Sequence, residues 1–444
     1  MVQLYWLCTM SYTDIQDNFN REETFFNKEK KMDKSQLAIN GGPQAAPDMP
    51  NRFHFGKEEK AAADALFDKS IETGNAIGYN GPEEDAFGKE FAEYLGGGYA
   101  DGVNAGTNSV YVALKSLNLP PFSEVIVGCV TDCGGMMPIV ELNCIPVPAD
   151  TEPGSFNTGA EQIEARITER TSAIVVAHIG GEPADMPGIL KVAEKYNLPV
   201  VEDCAQAHMA IINGKKCGSF GTCGAFSMMF GKHMCVGGQG GAVFTKDEEQ
   251  YWKIRRAADR GKPFNMPGCS NVISAINCNM DELHAAIGRV QLKKLPGIVE
   301  RRLAFVQMML DRGFDKLASI YIPQKDLRPG FQSCYWWWRL RFVAENMKCT
   351  REEFVEALTA EGLRLTPNYK AALPATMMWF QDHANKHPWN NPLYKGDPNA
   401  VYATPNCDKV MDTDFLFSMY ESYGEAEADK AIAAFKKVTE AYAK

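Results

Sequence analysis

Apolar and polar positions change period repeatedly along the chain, and each change marks an element. Residues 57–74 (KEEKAAADALFDKSIETG) and 83–96 (EEDAFGKEFAEYLG) repeat apolar positions at helical spacing, with GPEE at 81–84 as a proline-bearing helix start. GVNAGTNSVYVALKSL at 102–117 reads as a glycine turn followed by a helix. SEVIVGCV and CIPVPAD are short extended runs. The clearest unit lies between 158 and 204. An amphipathic AEQIEARI precedes the continuous apolar run TSAIVVAHI. Then come MPGILKVAEKYN, with apolar residues at 189, 190, 193 and 196, and a second buried run, LPVVEDC. Strand, helix and strand at this spacing predict a βαβ unit, and apolar runs without alternation predict a parallel sheet covered on both faces.

Beyond it, GGAVFT reads as a strand and KDEEQYWKIRRAADRG as a helix closed by glycine. MDELHAAIGRVQLKKL places Leu283, Ala286, Ile287 and Val290 on one stripe of a packed helix. EFVEALTAEGL and AEADKAIAAFKKVTEAY are C-terminal helices, with LRLTPNY and CYWWWRLRFV as strands between and before them. The predicted division is a loosely ordered N-terminal extension over 1–36, a large domain over 37–300 and a small one over 301–444, with the boundary in the long helix IVERRLAFVQMML. Within the extension, Met32 is an alternative start.

Composition narrows the class. The 444 residues are 45% hydrophobic and 23% charged, enough for a large core and more than one domain. Net charge is −10, with no basic, aromatic-laced run to grip nucleic acid and no apolar stretch long enough to span a membrane. Thirteen cysteines without C-x-x-C pairs indicate reduced thiols in a cytoplasmic protein, and Cys204, Cys223, Cys235 and Cys278 read as small core residues. Among seven histidines no zinc spacing occurs, so no metal is expected.

Four features carry candidate chemistry. In a parallel sheet, active groups collect at the carboxyl ends of strands, where this chain has His178 and the Glu202–Asp203 pair. A carboxylate there needs a cation or donors; Asp203 suits the pyridine nitrogen of pyridoxal phosphate, and taken alone it equally suits a helix cap or ion pair. Lys232 lies 29 residues later in the apolar, glycine-rich AFSMMFGKHMCVGGQGGAVF. A lysine shielded from water can form a Schiff base, or it can run its stem through apolar surface to solvent. NAGTNSVYVAL offers backbone amides and a hydroxyl at a helix start, which is a phosphate cradle or a plain cap. Ser227 stands five residues before Lys232 and adds a hydroxyl to the same place.

The motifs VVEDCAQAH, GKKCGSFGTCGAFS, FGKHMCVGGQGGAVFT and NCNMDELHAAIGRVQLKKL, with LAINGGPQ and GYNGPEEDAFGKEFAEYLG before them, resemble the DegT/DnrJ/EryC1/StrS aminotransferases from about residue 37 onward. That resemblance implies an α/β protein of fold type I, with a mostly parallel central sheet and a smaller C-terminal α+β domain. It implies pyridoxal 5′-phosphate as cofactor, Lys232 as Schiff-base lysine and proton shuttle, Asp203 as pyridinium partner and Gln206 as donor to the ring oxygen. Gly106, Thr107, Asn108 and Ser227 match the phosphate binders. Asn277 matches an asparagine that reaches a phosphate across a dimer interface, implying a homodimer with shared sites.

The implied activity is ping-pong transfer of an amino group from glutamine or glutamate to a keto sugar or keto cyclitol. Dehydration on the same scaffold, or cofactor binding without turnover, are the alternatives. The C-terminal segment and GGQGG lean toward the glutamine-using inosose and aminohydroxybenzoate branch. Three departures stand out: VTDCGG puts Asp132 where relatives stack an aromatic ring on the cofactor, Asn279 replaces a basic residue, and YWWWRLRF is unusually aromatic. Some relatives carry histidine in place of the lysine and act as dehydratases; here His233 follows Lys232 without replacing it.

Overall fold

The computed structural model describes residues 33–444. Most of the extension read over 1–36 therefore lies outside the described residues. Among the described residues, nine strands precede residue 250: β1 (Tyr99–Val103), β2 (Glu124–Gly128), β3 (Ile145–Ala149), β4 (Thr171–Ala177), β5 (Val200–Asp203), β6 (Ile211–Ile212), β7 (Lys215–Lys216), β8 (Cys223–Ser227) and β9 (Gly241–Thr245). Seven of them form one sheet in the order β1-β9-β8-β5-β4-β2-β3. The pairs β2–β3, β2–β4, β4–β5 and β5–β8 are parallel, and β9 alone runs against its neighbours. The expected mostly parallel α/β sheet is present.

The predicted βαβ unit is β4, the helix Met186–Lys195 and β5. Asp185 caps that helix by accepting from Gly188 N at 3.2 Å, and Pro187 fits the first turn, where its missing N–H costs nothing. The apolar runs serve two faces. Ile174 and Val176 of β4 pack into one cluster with Ile126 and Phe226; Ala173 and Val175 pack into the opposite one with Val125, Val127 and Val201. Each fully buried Val or Ile contributes about 1.5–3 kcal/mol, so both faces are strongly held. Pro146 and Pro148 cannot donate to a ladder, and β3 sits at the sheet edge, where that is tolerated.

The chain then forms the helix Glu248–Ala258 and a 30-residue helix, Glu282–Asp311. The long helix gives Leu292, Leu295 and Val299 to a core cluster on the central sheet, and Phe305, Val306 and Met309 to a second core. That second core lies against β10 (Ile320–Tyr321), β12 (Trp338–Phe342), β13 (Leu365–Thr366) and β14 (Asp414–Phe417), an antiparallel sheet in the order β10-β12-β14-β13. A short β11 (Phe331–Gln332) joins β6 and β7. Leu37, Ala46 and Met49, from the start of the described chain, also pack into the second core. We propose that the two cores are the two domains and that the long helix carries the boundary.

Two predicted strands are shorter than the pattern suggested. Of CYWWWRLRFV only Trp338–Phe342 pairs, because Cys334 and Trp336 donate their amides to Gly181 O and Gly180 O and Tyr335 turns at φ +48°. Of LRLTPNY only Leu365–Thr366 pairs.

Candidate active site

The carboxyl ends of β1, β2, β4, β5 and β8 lie on one side of the sheet, and the segments leaving them supply the site. Adjacent residues at the end of β5 diverge. Glu202 is buried and fully engaged: it accepts from the amides of Gly218 (2.8 Å), Phe220 (2.7 Å) and Gly221 (2.7 Å) and from His178 Nε2 (3.1 Å). His178 Nδ1 in turn accepts from Ala184 N, so this pair organises loops. Asp203 turns the other way. Its Oδ1 accepts from Ala205 N at 3.0 Å, while Oδ2 takes no donor among the described residues. Burial pushes this carboxyl up; the Ala205 N–H and the charge of Lys232 pull it back only in part.

Lys232 follows β8 and is 7% exposed. Its Nζ has no hydrogen-bond partner among the described residues and faces the Trp336 ring, 4.1 Å from the centroid. Burial lowers the amine below the usual lysine range, against the opposing pull of Asp203 and Asp132.

Ala105 precedes the helix Gly106–Ser116 and gives it no side-chain cap, so the first amides of that helix, Gly106, Thr107 and Asn108, are open. Ser227 stands opposite: a Cβ on Gly106 would fall 2.4 Å from Ser227 Cβ, a contact only glycine permits. Asn108 Nδ2 donates to Asn104 Oδ1 at 2.6 Å. Gln206 accepts from Gly180 N through Oε1 (2.6 Å) and donates from Nε2 to Tyr369 Oη (2.9 Å). Asp132 is exposed and caps the helix Cys133–Glu141 by accepting from Gly134 N at 2.9 Å. Asn277 is also exposed, bridged through its backbone to Asp259, and no hydrogen bond joins it to the other site residues among the described residues.

A buried amine, a buried carboxylate and an open helix start thus meet at one end of a parallel sheet. Residues 57–432 match the DegT/DnrJ/EryC1/StrS aminotransferase family. The chain belongs to this family. GDP-perosamine synthase of Caulobacter vibrioides is 32% identical over 283 residues, which is 63% of this chain and 74% of that protein. L-glutamine:2-deoxy-scyllo-inosose aminotransferase of Streptomyces fradiae is 30% identical over 432 residues, 91% of this chain and 97% of that one. An aminotransferase structure from Psychrobacter cryohalolentis superposes with a TM-score of 0.77 at 26% identity, covering 87% of this chain and 97% of that chain. This family member is a pyridoxal-phosphate-dependent aminotransferase.

The residues present fit that cofactor. Asp203 Oδ2 is free for a ring nitrogen, Lys232 Nζ is free for an aldehyde, and the amides of Gly106 and Thr107 are free for a phosphate. A Cβ on Gly135 would come within 2.9 Å of Asp203 Oδ2, and one on Gly134 within 2.4 Å of Thr107 Oγ1. The stretch where an aromatic residue was expected is therefore a glycine pair that leaves space, with Asp132 as its helix cap. Sequence reasoning missed Trp336 and Tyr369, which the structure brings to Lys232 and Gln206. It also missed Arg52, Arg302 and Glu421, which lie behind the lysine loop. The aromatic run at 335–338 was the available signal for Trp336; nothing in the sequence joins positions 52, 302 and 421.

Proposed function

We propose that this aminotransferase moves the amino group of glutamine or glutamate to the ketone of a sugar or cyclitol. The observation that carries the reading is the placing of the buried Lys232 amine and the buried Asp203 carboxyl within each other's electrostatic reach, beside the open helix start. The acceptor class is supported by the relatives, which are sugar and cyclitol aminotransferases. The Streptomyces fradiae protein, matched over 97% of its length, names L-glutamine as donor, which favours glutamine here.

Lys232, Asp203, Gln206, Gly106, Thr107, Asn108 and Ser227 hold the cofactor in this reading, with Asp132 at its edge. Pyridoxal phosphate supplies an electron sink for the carbon that loses or gains a proton. Asp203 keeps negative charge where the ring nitrogen carries its proton. Lys232 Nζ, whose burial lowers it below the usual lysine range, would act as base and then acid within each half-reaction, moving a proton from the donor's α-carbon to the cofactor's carbon in the first and from there to the acceptor's former ketone carbon in the second. The Gly106–Asn108 amides and the Ser227 hydroxyl bind the phosphate. Trp336 covers Nζ and keeps bulk water from it.

Asn277 is assigned to the site of a second copy. Supporting this, the segment before it exposes Val272, Ile273 and Ile276 in one apolar stretch. No helix among the described residues is long and apolar enough to cross a membrane, and the described cysteines are free thiols, which supports a reducing, cytoplasmic setting.

The test is a donor and acceptor screen. Release of one equivalent of keto acid from glutamine, with amination of a keto cyclitol or keto sugar, is the expected result. Water loss from the acceptor with no keto-acid release from any donor contradicts the reading.

A further inference from the structure

The three tryptophans of the run at 336–338 go to three places. Trp338 is buried in the second core against Phe314, with ring centroids 4.9 Å apart. Trp337 packs edge-on against Phe156 and Tyr369, at 5.9 and 5.1 Å. Trp336 is the one that meets the lysine. Its ring face lies 4.1 Å from Lys232 Nζ, and its indole N–H donates to the carbonyl of Gly231, the residue before the lysine, at 3.0 Å.

The backbone that presents Trp336 is itself anchored. Tyr335 is held at φ +48°, a conformation disfavoured for a bulky residue, so something must hold it there. Arg302 Nη1 donates to Tyr335 O (2.9 Å) and Trp336 O (3.0 Å), while its Nε and Nη2 bind Glu421 Oε2 at 3.2 and 2.9 Å. Both side chains of that ion pair are nearly inaccessible, 2% and 5% exposed. The second oxygen of Glu421 takes Arg52 Nε at 2.7 Å, and Arg52 Nη2 donates to His233 O at 3.1 Å. The carbonyls on either side of Lys232 are therefore both held, one by Trp336 and the other by Arg52. Both holders depend on Glu421.

We propose that Trp336 is a positioning residue for the Lys232 amine, with the Arg302–Glu421 pair as its anchor. The indole does two jobs. Its N–H fixes the loop at Gly231, and its π face is the direct partner of a buried ammonium that lacks hydrogen bonds. A desolvated cation on an aromatic face is attracted by the ring quadrupole, which a saturated side chain of similar bulk does not offer at the same contact. The charged and titratable groups facing Lys232 from other elements are Asp203 at the end of β5, Asp132 at the head of the helix Cys133–Glu141, and His208. None of them changes when Trp336 does.

This rests on Lys232 being the working amine of the site, and the test separates the two claims. The full chain, freed of cofactor, is labelled competitively with acetic anhydride over a range of pH, and the Lys232 peptide is quantified by mass spectrometry. Trp336→Phe, which keeps a ring face, should leave the labelling midpoint of Lys232 close to wild type. Trp336→Met, which keeps much of the bulk and loses the face, should lower it by about one unit or more. An unchanged or raised midpoint in Trp336→Met overturns the proposal. Thermal melts confirm that both variants fold; if the Met variant does not, Trp336→Leu takes its place under the same criterion. Borohydride trapping of cofactor on wild-type Lys232 tests the underlying reading independently.

Discussion

At the residue scale, Lys232 and Asp203 are both pushed toward their neutral forms by burial, and each partly restrains the other. The sign for stability follows from linkage. A lysine whose folded pKa is depressed binds fewer protons when folded than when unfolded. Its burial cost is full below the lowered folded value and vanishes as pH rises past the ordinary 10.5. Cofactor-free Lys232→Met should therefore melt above wild type near neutral pH, with the gap closing as pH rises toward 10.5. A gap that is constant across pH would show that the amine is not strained by burial. Asp203→Asn keeps shape and removes charge; it should lower kcat by about 10²–10³-fold, as for loss of one preorganised electrostatic partner, with the fold intact by circular dichroism.

At the element scale, the site depends on segments that leave strand ends, and on the close approach of the helix Gly106–Ser116 to Ser227. Gly106→Ala would put a methyl group 2.4 Å from Ser227 Cβ, in a place where the backbone must move to admit it. Overpacking of this kind costs about 1–3 kcal/mol, so cofactor affinity should weaken by about 10–100-fold in a fluorescence titration.

The same scale shows what the sequence made legible. β4, β5 and the helix between them were readable because Val and Ile run without interruption and Asp185 and Pro187 mark a helix start. β1 (Tyr-Ala-Asp-Gly-Val) and β8 (Cys-Gly-Ala-Phe-Ser) went unread: they are central to the site but built from small and polar residues, and their extended form comes from pairing with β9. The helix Cys133–Glu141 has two glycines in its first turn and contains Pro138, which hides it from any propensity argument. The aromatic run looked like one strand and is three separate packing roles. Glu421 with Arg52 and Arg302 joins positions hundreds of residues apart, and burial of the cluster was not visible before the chain was folded.

At the scale of the whole molecule, Asn277 is exposed and not hydrogen-bonded to the other site residues among the described residues, beside an exposed apolar stretch. If two copies share sites, Lys232→Ala and Asn277→Ala variants, each inactive alone, should complement. A mixed dimer places both mutations in one site and leaves the other whole. Random pairing in an equimolar mixture then restores about a quarter of wild-type activity, with light scattering reporting twice the mass of one chain. Failure to complement, with both variants dimeric, would show that Asn277 serves its own chain or none.

The central claim is that Lys232 is the amine that carries the cofactor. Borohydride reduction of the pyridoxal-phosphate-loaded protein, followed by peptide mass mapping, tests it most directly. The account predicts that the reduced cofactor is found on the peptide containing Lys232 and that adding glutamine beforehand prevents the label. A label on another lysine, or none on a protein that retains the cofactor, would contradict it.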